Sequence, residues 1–207
     1  MSDLPDLHHP GKLALYHRGT WTVYDEGDAD RPRPRVVYPG AFQPLHDGHR
    51  RIAEIASARL VAPVHFEISL ANVDKPDLSS HDLVQRISQF PADAAIWATR
   101  AASFAEKSRL FPGAVFLVGA DTLIRILDLR YYGDDALAQG AAIREIASQG
   151  CRFLVFGRQV GKRFWTLADI AVPDDLHQRC EGVALEDFRM DVSSTALRRR
   201  PTNRRDS

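Results

Sequence analysis

Two short stretches near opposite ends of a 207-residue chain carry residue types and spacings suited to phosphate chemistry. The first is Gly40-Ala41-Phe42-Gln43-Pro44-Leu45-His46-Asp47-Gly48-His49. Gly40 lets the backbone turn sharply and approach a ligand with no Cβ in the way. Pro44 stiffens the loop, and Gly48 allows a second close approach where a helix begins. His46 and His49 stand three apart at that helix start, so both can face one volume. The volume already holds backbone N–H groups and the positive end of the helix dipole. Two imidazoles added there make a site for a polyphosphate. The bland alternative is one surface histidine and one capping histidine, but it leaves two glycines and a proline in the same loop unexplained.

The second stretch is Ser193-Ser194-Thr195 with Arg198 about one turn later. Three residues supply hydroxyls and N–H groups at a predicted helix start, and the arginine brings a charge for phosphate. Taken alone, an ordinary N-cap before a basic solvent face would read the same way. Arg199 and Arg200 group with the basic tail that carries Arg204-Arg205.

The elements that must position these loops alternate between strand and helix from Arg35 onward. Val36-Val37-Tyr38 predicts a strand, and Ile52, Ile55, Ala56 and Leu60 share one face of a helix over His49–Leu60. Phe66–Leu70 predicts a second strand. Ser80 is placed as the N-cap of a helix carrying Leu83, Ile87 and Phe90. A further helix is expected after Pro91, with Ala94, Trp97, Ala101 and Phe104 on one side. Ala114–Val118 is a continuous apolar run, the pattern of a strand buried on both faces. Helices near Thr122–Leu127 and Asp135–Ser148, strands at Arg152–Phe156 and Leu167–Val172, and a last helix from about Ser194 complete the series. Alternation of this kind implies an α/β fold with a Rossmann-like, doubly wound parallel sheet and helices on both faces. In such sheets ligands bind at the carboxyl ends of strands, where both loops fall.

Residues 1–34 differ. Two β-prone runs, Leu13–Tyr16 and Thr20–Tyr24, flank a turn at Arg18-Gly19, and a polar, proline-bearing linker follows. A hairpin on the sheet edge and a loosely attached arm both fit. The expected division is an arm over 1–34, a main domain over 35–200 and a basic tail over 201–207.

Charge is balanced, with 27 basic and 27 acidic residues. That balance argues against a nucleic-acid coat or a membrane-surface protein, both of which need a basic excess. Cys151 and Cys180 show neither a disulfide framework nor metal spacing. No continuous apolar stretch approaches the roughly 18 to 20 residues of a membrane helix, and the N-terminus lacks a secretory pattern. A cytoplasmic protein is expected.

Tyr38-Pro39-Gly40 through His49 resembles the signature of the nucleotidyltransferase superfamily, a Gly-x-Phe-x-Pro loop running into a His-x-Gly-His turn. Asp191 to Arg198 resembles that superfamily's second signature, Ile-Ser-Ser-Thr-x-x-Arg. The resemblance spans about Arg35 to Arg200. It implies transfer of a nucleotidyl group from a nucleoside triphosphate to a phosphate-bearing acceptor, with ATP and Mg²⁺ as the expected substrate pair and no protein metal site.

The similarity is strongest to nicotinamide or nicotinate mononucleotide adenylyltransferases, and it implies the site roles. His46, His49 and Arg198 are the expected catalytic residues. Gly40, Ala41, Phe42, Gly48, Ser193, Ser194 and Thr195 are expected to bind the nucleotide. Gly119 and Asp121 resemble a Gly-x-Asp turn that meets ribose hydroxyls, and Arg158 matches a phosphate-contacting arginine after the next strand. Lys75 is a candidate for the acceptor phosphate. Tyr131 would have to replace the tryptophan that stacks on the pyridine ring in that branch. Ala41 and Gln43 depart from that branch's usual Ser or Thr and Asn. A phosphopantetheine adenylyltransferase and a nucleotide-binding regulatory module are the alternatives. Partners are expected to be small nucleotides rather than nucleic acid or membrane, and a homo-oligomer is compatible with the chain.

Overall fold

A computed structural model describes residue 5, residue 7, residues 11–71 and residues 77–184. In chain order the first elements are a hairpin of β1 (Lys12–His17) and β2 (Thr20–Asp25), then β3 (Val36–Pro39), α1 (Asp47–Leu60) and β4 (Val64–Ser69). Next come α2 (Ser80–Ile87), β5 (Ile96–Thr99), α3 (Phe104–Leu110), β6 (Val115–Gly119) and α4 (Ala120–Ile126). A 3₁₀ turn at Leu129–Tyr132, α5 (Ala136–Ser148), β7 (Arg152–Phe156), and a small hairpin of β8 (Arg158–Val160) and β9 (Arg163–Trp165) follow. A 3₁₀ turn at Leu167–Asp169, α6 (Asp174–His177) and β10 (Cys180–Gly182) complete the described residues.

Eight strands form one sheet in the order β10-β7-β6-β3-β4-β5-β1-β2. The six from β10 to β5 run parallel, and β1 and β2 close one edge antiparallel. The fold is therefore α/β and Rossmann-like, as the alternation of elements implies. Strand order reverses between β3 and β6. From β3 the chain steps outward through β4 and β5, and from β6 it steps the other way through β7 to β10. A crevice opens at the carboxyl ends of strands where order reverses in this way.

The sheet buries two apolar clusters, one on each face. Val36, Tyr38, Ile68, Ala98, Leu117 and Leu154 point into the cluster covered by α1 and α2. Val37, Trp97, Phe116, Val118, Phe153 and Val155 point into the other, under α4 and α5. Neighbouring residues on each strand thus enter opposite clusters, the period of two that a pleated strand imposes.

That period corrects one expectation. Ala94, Trp97, Ala101 and Phe104 do not share a helix: Ile96–Thr99 is the fully buried strand β5, and α3 begins only after Ser103. Helical spacing of four apolar residues hid a short run whose every residue is buried, which a helix on a sheet surface cannot provide. Ser103 and Glu106 form a reciprocal capping box that fixes the true helix start. A second correction concerns Leu167–Val172, which is a 3₁₀ turn plus irregular chain rather than a strand. The Thr166–Asp169 capping box turns the chain there, and Cys180–Gly182 pairs with β7 instead. The helix after Leu78 is capped by Ser79, one residue before the expected Ser80.

The hairpin β1–β2 is joined to the sheet by β1 pairing with β5, Ala14 opposite Ala98. Arg31 then ties the following linker to the end of α3, donating to the Leu110 carbonyl at 2.5 Å. The two cysteines are both free, Cys151 buried and Cys180 half-buried.

Candidate active site

The loop after β3 enters the crevice beside β6. Gly40 donates to the Glu67 carbonyl at 2.9 Å, which holds the loop's first residue against β4. A Cβ at Gly40 would stand 2.7 Å from the ring tip of Phe42, so no larger residue fits without moving that ring. Phe42 itself adopts φ +44°, a left-handed conformation that costs an ordinary residue about 1–3 kcal/mol. Its ring supplies the compensation. It is buried and packs edge-on against Tyr38, Phe66, Phe90 and His49, with centroids 5.1–5.5 Å away. The loop then passes through a cis Gln43–Pro44 bond to the start of α1.

His46 is the N-cap of α1 and His49 is its third residue. The His46 Nδ1 accepts from the Gly48 N–H at 3.1 Å, and the His49 Nδ1 accepts from the His46 N–H at 3.3 Å. The two rings stack with centroids 3.8 Å apart, and each residue is only 9% exposed. Histidines thus perform the reciprocal capping usually given to Ser and Glu.

This arrangement fixes the tautomers. A neutral imidazole whose Nδ1 accepts a hydrogen bond carries its proton on Nε2, an assignment made from the hydrogen-bond network. Burial, the neighbouring His46 ring and the Arg158 guanidinium push His49 down to about 3. Burial and Arg158 also hold His46 below the ordinary imidazole value. Both rings are therefore neutral Nε2–H donors at pH 7. The His46 Nε2 is buried and has no hydrogen-bond partner among the described residues. A buried donor without an acceptor costs about 1–3 kcal/mol, and an anionic ligand oxygen would remove that cost.

Asp121 and Arg158 approach from the other side of the crevice. Asp121 lies in the first turn of α4, directly after β6. A Cβ at Gly119 would meet the Asp121 Oδ1 at 2.4 Å, so the glycine makes room for that carboxylate. Arg158, the first residue after Gly157 at the end of β7, places Nε 4.0 Å from the Asp121 Oδ1. Its charge acts on Tyr38, His46 and His49, and burial with Asp121 raises the Tyr38 hydroxyl well above its usual value. Three loops, after β3, β6 and β7, thus converge on one volume at the switch point.

The structure brings together Gly40, Ala41, Phe42, His46, Gly48, His49, Gly119, Asp121 and Arg158. Tyr131 stands half-buried in the 3₁₀ turn beyond α4, next to Tyr132, whose hydroxyl donates to the Ile126 carbonyl at 2.8 Å. Lys75, Ser193, Ser194, Thr195 and Arg198 lie outside the described residues. Two residues beside the loop escape sequence reasoning. Arg86, in the last turn of α2, and Gln89, just after its C-cap, hydrogen-bond to residues 41–45. Their spacing gives no signal, because polar residues at a helix end are ordinary solvent-facing ones. Among the described residues, no cluster of three or more His, Cys, Asp or Glu side chains could hold a metal ion. No helix among them is long and apolar enough to cross a membrane.

A switch-point crevice edged by a helix start and three strand-end loops defines a Rossmann-like nucleotide-binding domain. The chain belongs to the cytidylyltransferase-like family of the nucleotidyltransferase superfamily, whose family model matches residues 37–200. A search among curated proteins found no similar sequence.

Proposed function

We propose that the protein transfers an adenylyl group from Mg-ATP to a phosphate-bearing acceptor, nicotinamide or nicotinate mononucleotide, releasing pyrophosphate. The observation that carries this reading is the buried, unpartnered Nε2–H of His46, stacked on a second neutral Nε2–H donor and facing the field of Arg158. Neutral donors suit this task. They hold phosphate oxygens by hydrogen bonds and never surrender a proton they must keep during turnover.

The acceptor phosphate is already an anion at neutral pH, so no general base is required. One of its oxygens bonds to the α-phosphorus while the bond from that phosphorus to the α–β bridging oxygen breaks. The electron pair leaves with that oxygen as pyrophosphate. The protein's part is alignment and charge neutralisation. His46 and His49 donate to α- and β-phosphate oxygens, and Arg158 neutralises charge that builds during transfer. Ser193, Ser194, Thr195 and Arg198 take the β- and γ-phosphates. Asp121 accepts from ribose hydroxyls, Lys75 meets the acceptor phosphate and Tyr131 stacks on its ring. Mg²⁺ arrives on the triphosphate as part of the substrate.

The test is pyrophosphate release from Mg-ATP with nicotinamide mononucleotide, nicotinate mononucleotide or phosphopantetheine as acceptor. Release with either mononucleotide, reduced about 10²- to 10³-fold by His49→Ala, is expected. Release with phosphopantetheine alone would overturn the acceptor assignment. Release with none, from protein that still binds ATP, would overturn the enzymatic reading.

A further inference from the structure

The phosphate loop is held from outside by the last turn of α2 and by the residue two past its end. Arg86 donates through Nη1 to the Ala41 carbonyl at 3.0 Å and through Nη2 to the Gln43 Oε1 at 2.8 Å. Gln89 donates through Nε2 to the Phe42 carbonyl at 3.3 Å, and its Oε1 accepts from the Leu45 N–H at 2.9 Å. The Gln89 amide therefore bridges both ends of the Phe42–Leu45 turn. Both residues are half-buried, and the segment is fixed by Leu83 and Ile87 of the helix and by Phe90 beyond it, all in the core.

These contacts dictate where the loop's own donors point. The Ala41–Phe42 and Phe42–Gln43 peptides are trans, and in a trans peptide the carbonyl and the following N–H point in opposite directions. With the Ala41 and Phe42 carbonyls turned toward α2, the N–H groups of Phe42 and Gln43 are turned away from it. Phe42 sits between them in the left-handed region, where the backbone would relax if released. Successive N–H groups around such a residue form an anion-binding concavity. Four hydrogen bonds to the side chains of Arg86, in α2, and Gln89, just past its end, thus oppose relaxation of a strained loop that also leads into His46 and His49.

We infer that Arg86 and Gln89 are positioning residues, which set the direction of the loop's backbone donors and the placement of the histidine pair without touching the ligand. That the ligand is a polyphosphate rests on the proposed function, whereas the positioning itself does not. Gln89 is the sharper probe because replacing it changes no charge, and Arg86 alone would confound position with electrostatics.

The test uses the full chain with Gln89→Met and two readouts. One is calorimetric titration with inorganic tripolyphosphate. The other is the nitrogen spectrum of the imidazoles in ligand-free protein labelled at histidine. We expect Gln89→Met to weaken tripolyphosphate binding about tenfold or more. The His46 and His49 ring signals should move while those of His65, His81 and His177 stay. The melting temperature should change by only a few degrees, because the lost bonds are partly exposed. Arg86→Met should weaken binding further than Arg86→Lys. Tripolyphosphate affinity within twofold of wild type in Gln89→Met would overturn the inference. If the wild-type protein itself does not bind tripolyphosphate, the polyphosphate reading fails and the spectra decide the positioning. Moved His46 and His49 signals would then uphold it, and unmoved ones would refute it.

Discussion

Replacing His49 by asparagine should flatten the acid sensitivity of this protein. His49 is held neutral because burial, the His46 ring and Arg158 all disfavour its cation, which pushes it down to about 3. Unfolding releases the ring to water, where an imidazole titrates near about 6.5. Below that pH the unfolded chain takes up a proton that the native protein refuses. The contribution is therefore fully present above about 6.5 and is lost as pH falls toward 3. Integrated from pH 7 to pH 5, the loss is about 2 kcal/mol. For a domain of this size that corresponds to a fall in melting temperature of about 4–8 °C. Asparagine keeps an acceptor for the His46 N–H, so the helix start survives while the titrating group is removed. Denaturant unfolding of both proteins at half-unit steps from pH 7 to pH 5 reads the difference. Wild-type and His49→Asn stabilities that fall in parallel over that range would refute the reasoning.

Other predictions concern the shell around the site. Lys107 spends its ammonium protons on both Glu67 oxygens, at 2.8 and 2.9 Å, and on the Ala101 carbonyl at 2.6 Å, with Thr99 donating to the same carboxylate. Both side chains are over nine-tenths buried, so Lys107→Met should cost about 3–5 kcal/mol by stranding the carboxylate. The pair Glu67→Leu/Lys107→Met should recover most of that loss in the same unfolding assay. Gly40→Ala puts a Cβ against the buried Phe42 ring and should cost about 1–3 kcal/mol, with ATP affinity falling because the loop shifts. Arg158→Met removes a charge that lowers both His46 and His49, so both rings should titrate at higher pH by NMR.

How much of this was legible in the chain depends on what kind of signal each residue sends. The loop at Gly40–His49 is readable because turn residues and histidines cluster at a strand-to-helix boundary, where a local sequence fixes a local structure. β6 and β7 are readable because Ala114–Val118 and Arg152–Phe156 are apolar on both faces. β5 is not, since Ile96–Thr99 is four residues long and its apolar neighbours happen to fall at helical spacing. β10 lies beyond a 3₁₀ turn whose residues look more strand-like than its own, Cys180-Glu181-Gly182. Pairing with β7 decides it, and pairing is a tertiary fact. The same holds within the site. His46 and His49 announce themselves, but their shared capping geometry and neutral state follow from burial and from Arg158, a residue more than 100 positions away in the chain. Arg86 and Gln89 are legible only once α2 is seen against the loop.

The most direct test of the central claim follows the α-phosphate itself. ATP labelled at its α-phosphorus is incubated with the protein, Mg²⁺ and nicotinamide or nicotinate mononucleotide, and the label is traced among the products. Label joined to the acceptor in a dinucleotide, in step with unlabelled pyrophosphate and suppressed by His49→Ala, is the predicted result. Label that stays in ADP, with the γ-phosphate moved to the acceptor or to water, would contradict it.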